Sequence, residues 1–120
     1  MTHGTNFKTG KRVDDPKYRA AVRTFPCEIC EEFELVQCSP SEFHHIIHDR
    51  MSQAKTSCAF GISLCDCHHK GQRFDRDRTK IAIHNDKEAF RLIYGPDHKY
   101  TKRTQDRVKA EFGYTPKGLE

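Results

Sequence analysis

Tryptophan is absent from this 120-residue sequence, methionine occurs twice, and hydrophobic side chains make up only 35% of it. The mean hydropathy is -0.86. A chain so short and so polar buries too little apolar surface for the hydrophobic effect to be its sole source of stability. The apolar stretches are only a few residues long, which predicts no membrane-spanning helix. Residues 1–10 have neither an apolar core nor a small-residue cleavage site, so no secretory signal is expected, and the chain reads as cytoplasmic, in a reducing compartment. No internal repeat or low-complexity tract is present, and the length suits one domain.

What the sequence does have is six cysteines and eight histidines. In a reducing compartment, cysteine spaced with histidine points to metal before disulfides. The formal net charge is +4 at pH 7, a modest lean toward polyanions such as nucleic acid. It is unevenly placed: residues 1–26 carry six basic and two acidic side chains, and residues 27–38 no basic and four acidic. Residues 39–98 carry nine and eight, and residues 99–120 six and three. The expected organisation is a flexible basic arm over 1–13, a zinc-binding domain over 14–98 and a basic helix or tail over 99–120.

Three helices are expected. Asp15 caps the first, with Pro16 in its first turn, Tyr18, Ala21 and Val22 on one side, and a break at Phe25-Pro26. Asn85 caps a second, with Glu88 as its capping-box partner, a stripe of Ala89, Phe90 and Ile93, and a stop at Gly95-Pro96. The third covers residues 101–112, with Val108 and Phe112 one turn apart and Gly113 as its stop. Short strands are expected among the apolar pieces 33–36, 43–47 and 59–64.

Cys27 and Cys30 are separated by two residues, which lets both thiolates reach one ion from a tight turn and makes half a tetrahedral site. Leu64-Cys65-Asp66-Cys67-His68-His69 offers the other half, either through Cys65 with His68 or through Cys65 with Cys67. The His68 pairing repeats the two-residue gap, leaves His69 free and is preferred. A buried free thiol suits Cys38 and Cys58 better. His44 and His45 are adjacent, and neighbours on a strand point to opposite sides, so one can hold a metal while the other faces a substrate. With His69 and His84 they make an open, histidine-rich second site.

These motifs resemble the HNH (ββα-metal) nucleases: His44-His45-Ile46, Leu64 to His69, His84 ahead of a helix ending in Tyr94-Gly95, and Cys27-x-x-Cys30 upstream. More narrowly, Asp15-Pro16-Lys17-Tyr18, Val22-Arg23-Thr24-Phe25-Pro26-Cys27 and residues 55–64 are similar to phage recombination-enhancement nucleases, which depend on the host strand-exchange recombinase. The resemblance covers roughly residues 14–95. It implies an α+β fold, a small zinc-stabilised ββα-metal domain with flanking helices. It also implies a bacteriophage endonuclease acting on DNA in the host cytoplasm, with a recombinase filament as possible partner. Carried over by position, His44, His69 and His84 hold the catalytic metal, His45 is the general base, and Cys27, Cys30, Cys65 and His68 hold a structural zinc. Related nucleases often carry Asp or His where this chain has Cys58, which leaves an inactive binding module as the alternative.

The residue types fit that chemistry on their own terms. Phosphodiester hydrolysis needs a base that is neutral near pH 7 and a cation for the charge that builds on phosphate. A histidine-rich site leans toward Mn²⁺, Ni²⁺, Co²⁺ or Zn²⁺, whereas Mg²⁺ prefers oxygen ligands. Arg50, Lys55, Lys70 and Arg73 flank the histidines and are the expected phosphate contacts. Further DNA contacts are expected from Lys8, Lys11 and Arg12 and from Lys99, Lys102, Arg103, Arg107 and Lys109.

Overall fold

Asp15 starts the first helix: its carboxylate accepts the Tyr18 amide at 3.0 Å, and Pro16 fills the first turn. The computed structural model of the protein describes residues 12–49, 56–71 and 80–119. Helix α1 (Pro16–Val22) buries Tyr18, Ala21 and Val22, as its spacing predicts. Helix α2 (Glu28–Glu32) follows, with Cys27 at its N-cap and Cys30 inside it.

Strands β1 (Glu42–His44) and β2 (Ile62–Leu64) pair antiparallel, with Glu42 opposite Leu64, Phe43 opposite Ser63 and His44 opposite Ile62. So small a ribbon is marginal by itself; it is followed by the short helix α3 (Asp66–His69). Helix α4 (Lys87–Tyr94) and helix α5 (Thr101–Phe112) complete the α+β fold, and Gly113 ends α5 in the left-handed conformation (φ 62°). Short 3-10 turns cover Cys58–Phe60 and Asp97–Tyr100. Among the described residues no helix is long and apolar enough to cross a membrane.

Helices α2 and α3 are not among the expected elements, the strands expected over 43–47 and 59–64 are found as Glu42–His44 and Ile62–Leu64, and two further details differ from the sequence reading. Residues 33–36 form no strand: the chain turns back after α2, Glu34 takes the left-handed region (φ 56°), and Leu35 N–H bonds Cys30 O at 2.8 Å. Closing a loop behind the cysteine pair outweighs the β propensity of that piece. Helix α4 is capped by Asp86 rather than Asn85, its carboxylate accepting the Ala89 amide at 3.0 Å. The buried stripe is therefore Phe90 and Tyr94, and Ile93 is half exposed.

Two small clusters make the core. One joins Phe90, Tyr94, Tyr100, Ile29, Ile62, Leu64 and Ile83 to Cys27, Cys30 and Cys65. The other ties α1 to α5 through Tyr18, Ala21, Val22, Phe25, Cys58 and Val108. The acidic stretch read in the sequence meets the basic C-terminal helix here. Fully buried Glu28 accepts from Arg103 at 2.7 Å and from the Thr104 hydroxyl at 3.1 Å, and Arg103 and Arg107 also reach Glu32 and Glu31. Those two arginines, expected as DNA contacts, hold α5 to the acidic helix.

Candidate metal centres

The first cysteine pair sits on a stiff knuckle. Cys27 N–H bonds the Gln37 side-chain oxygen at 2.8 Å, and Cys30 lies one helical turn on, inside α2. Cys65 precedes α3, and its carbonyl accepts the amides of both His68 and His69, which aims the His68 ring back at the cysteines. All four ligand candidates are buried, and His68 Nδ1 lies 3.6 Å from each of the Cys27, Cys30 and Cys65 sulfurs. The Cys30 and Cys65 sulfurs are 3.8 Å apart. A tetrahedral zinc with ordinary Zn–S and Zn–N bonds requires edges of about 3.6 Å for N···S and about 3.8 Å for S···S.

The residues therefore fit a zinc ion, and the charge logic agrees. Without a cation the three sulfurs are shifted unequally: contacts with Cys27 and Cys30 hold Cys65 well below the ordinary thiol value, and the other two are raised. Cys27 is raised chiefly by its contacts with Cys30 and Cys65, while Cys30, against the opposing contact from Cys27, is pushed up to about 11 by Cys65 and burial. Cys67 does not join this shell. It is paired with Cys38 as a disulfide, so Cys38 is not the buried free thiol expected from the sequence, and Cys27, Cys30, Cys58 and Cys65 are the free thiols.

His69 follows His68 on α3 and faces the other way, against His44 from β1 and His84. Backbone bonds from Ile83 N–H to His68 O (2.9 Å) and from His84 N–H to His69 O (3.0 Å) lay the His84 segment along α3. The three rings form a triangle with centroids 5.1 Å (His44–His69), 5.5 Å (His44–His84) and 4.9 Å (His69–His84) apart. One ligand nitrogen from each lies within 4.8 Å of the others. His44 and His69 are buried and His84 is exposed, so the group is open on one side. Burial first, opposed by carboxylate neighbours, holds the His44 and His69 imidazoles below their ordinary pKa, in the neutral form that binds metal.

Carboxylates stand behind two of these rings. Asp97 Oδ2 lies 2.9 Å from His44 Nε2, and Glu42 Oε1 lies 2.7 Å from His69 Nδ1. His44 Nδ1 is buried and has no hydrogen-bond partner among the described residues. That orphaned nitrogen is the mark of a missing ligand, because buried polar atoms are nearly always paired. The fit to a divalent cation rests on it.

His45 lies across the strand from His44, half-buried beside Phe43. Burial, and then the Arg12 guanidinium, push its pKa down to about 4, so it is neutral at physiological pH. Arg12 Nη2 lies 2.5 Å from His45 Nε2, and the Cys58 sulfur lies 3.5 Å from the same nitrogen. Cys58 is buried, donates to Asp14 at 3.3 Å, and is kept a thiol chiefly by desolvation. A cleft of about 300 Å³ opens over this side, lined by Arg12, Phe43, His45, Ile47, His69, Lys70 and His84.

Of the expected phosphate contacts, exposed Lys70 lines this cleft, and Arg50, Lys55 and Arg73 lie outside the described residues, as do Lys8 and Lys11. The sequence reading missed Asp97, Glu42 and Asp14. Glu42 sits two residues before His44 on one strand face, a spacing that could have flagged it. Asp97 is 53 residues from His44, with no local signal. Comparison with protein-family models, with curated proteins and with solved structures finds no match.

Proposed function

We propose that this protein is a metal-dependent DNA endonuclease that hydrolyses phosphodiester bonds. The observation that carries the reading is a neutral histidine, His45, in one cleft with His69 and His84, two of the three clustered imidazoles, and with two cationic side chains, Arg12 and Lys70. The order of β1, β2 and α3, with His44 on β1 and His69 on α3, and the resemblance of the motifs to HNH nucleases support it.

His44, His69 and His84 would hold a divalent ion, and Cys27, Cys30, Cys65 and His68 a zinc that stabilises the fold. Such an ion supplies positive charge for the phosphate oxygens as negative charge builds there. His45 Nε2 takes a proton from water as the water oxygen bonds phosphorus, and the bond from phosphorus to the leaving sugar oxygen breaks. Arg12 and Lys70 neutralise the phosphate and hold it in the cleft. Three nitrogen ligands favour Mn²⁺, Co²⁺, Ni²⁺ or Zn²⁺ over Mg²⁺. The narrower resemblance suggests phage recombination in the host cytoplasm, on DNA carried by a strand-exchange recombinase filament.

A second reading has its own observation. Arg12 is hydrogen bonded to the His45 lone pair that a general base must offer, and the Cys58 thiol stands beside it. A zinc-stabilised DNA-binding module that no longer cuts would look like this. Plasmid nicking with Mn²⁺ or Mg²⁺, with and without a recombinase filament, separates the two. Nicking by the wild type, with a loss of roughly 10²–10⁴-fold in His45→Ala, is the endonuclease result. DNA binding without nicking in any metal, or equal cutting by His45→Ala, overturns it.

A further inference from the structure

We infer that Asp97 and Glu42 are positioning residues for the histidine metal site, each fixing which nitrogen of its imidazole faces the ion: Nδ1 of His44 and Nε2 of His69. This rests on the metal-binding part of the proposed function and is independent of its hydrolytic part.

Asp97 is fully buried, and its position is over-determined. Its carboxylate accepts from Ile47 N–H at 2.7 Å and from His48 N–H at 3.2 Å, in addition to His44. Its own N–H donates to His48 Nδ1 at 2.9 Å, and His48 Nε2 in turn donates to the Lys87 carbonyl at 3.0 Å. The carboxylate therefore cannot move toward or away from His44 without breaking bonds to the chain that follows β1.

An ionised carboxylate only accepts, so the His44 nitrogen facing Asp97 carries the proton. The reverse tautomer would place a lone pair against Oδ2 and leave a buried N–H at Nδ1 without an acceptor. Nδ1 therefore keeps its lone pair, aimed at the group formed with His69 and His84. At His69 the geometry is reversed: Glu42 accepts a hydrogen bond from Nδ1–H and leaves Nε2 as the ligand. Glu42 and His44 are two residues apart on β1, so one strand face supplies both a ligand and the carboxylate that orients another ligand. The buried negative charge of Asp97 lies one imidazole away from the cation site. A carboxylate there raises the donor strength of the ring, and loss of such a partner typically weakens metal binding by 10–100-fold.

The test uses full-length protein with its cysteine site zinc-loaded, titrated with Cd²⁺ as the probe. Wild type should take up one further ion. Glu42→Ala and Asp97→Asn should bind it roughly 10–100-fold more weakly, with zinc content and melting temperature of the Glu42 variant unchanged. Glu42→Gln should recover most of the affinity, because its amide oxygen can still accept from His69 Nδ1–H. In Asp97→Asn, by contrast, either orientation of the new amide sets its NH2 against the N–H of Ile47 or of His48. Should Asp97→Asn fail to fold, nitrogen-15 spectra of the wild-type histidine rings decide the matter. They should show His44 protonated at Nε2 and His69 at Nδ1, with cadmium coupled to the opposite nitrogen of each. Cd²⁺ binding that is equal in wild type and Glu42→Ala, or coupling to His44 Nε2, overturns the inference while leaving the metal site standing. No Cd²⁺ uptake by the wild type overturns both.

Discussion

One short helix serves two different sites. From α3, His68 turns to three buried thiols and His69 turns to two imidazoles beside a cleft. The cysteine group is closed, and nothing among the described residues hydrogen bonds His68 Nε2, whose ring stands edge-on to Tyr94 at 5.2 Å. The histidine group is open, with carboxylates behind His44 and His69. The difference follows from charge. Three thiolates bring more negative charge than a divalent ion needs, so that site requires no carboxylate behind it. Imidazole ligands bring none, and Asp97 and Glu42 supply it from behind His44 and His69. A closed site holds a fold together; an open one can bind a substrate.

The comparison would break first at the cysteines. Structural zinc contributes about 10–16 kcal/mol of folding free energy, as much as a domain's whole stability. Cys27→Ser should therefore unfold the protein, with loss of its far-ultraviolet circular dichroism. A folded, zinc-free variant would remove the cysteine site from the account.

A smaller effect is expected at the stitch that joins the two ends of the chain without metal. Asp15 accepts from the Tyr18 amide, the Tyr114 hydroxyl at 2.9 Å and the Lys117 amide at 2.9 Å. Asp15→Ala should cost about 1–2 kcal/mol as a lost helix cap and buried acceptor, read by urea denaturation. Burial pushes the Asp15 pKa up, but the bonds from Lys117, Tyr18 and Tyr114 outweigh it and hold the carboxyl below the ordinary 3.8. The unfolded chain then binds the extra proton first. The contribution of Asp15 is complete above its unfolded value of 3.8 and is lost as pH falls from there through the lower folded value. Asp15→Asn should flatten this acid limb in a stability profile. An unchanged limb would mean that acid acts at other groups, such as buried Asp97 or the metal ligands.

The least stability should be lost at the cleft. His84 is exposed, so His84→Ala should leave the melting curve within about 0.5 kcal/mol of wild type while removing the second metal equivalent. A large loss of stability there would erase the distinction between the two sites. Leu92, 87% exposed on α4, is the control: Leu92→Ser should change neither stability nor metal content.

What could be read from the sequence divides along the same line. The cysteine group lies on two short, regular spacings, so two local turns announce it. Helices α1 and α5 were legible because their signals, an aspartate cap with proline and a terminal glycine, act within one turn. The strand expected at 33–36 was not formed, because its role is to close the loop behind Cys30. Asp97, Glu42 and the Cys38–Cys67 pair depend on which distant segments the fold brings together, and no periodicity encodes that. The histidines were visible as residue types; the carboxylates that orient them were visible only in three dimensions.

The most direct measurement is metal content against nicking activity as a mild chelator is applied and then replaced by Mn²⁺. The two-site account predicts that one zinc per chain stays with folded protein, that nicking disappears with the second ion, and that it returns with Mn²⁺. Folded protein that retains no metal, or nicking undiminished when a single ion remains, would contradict it.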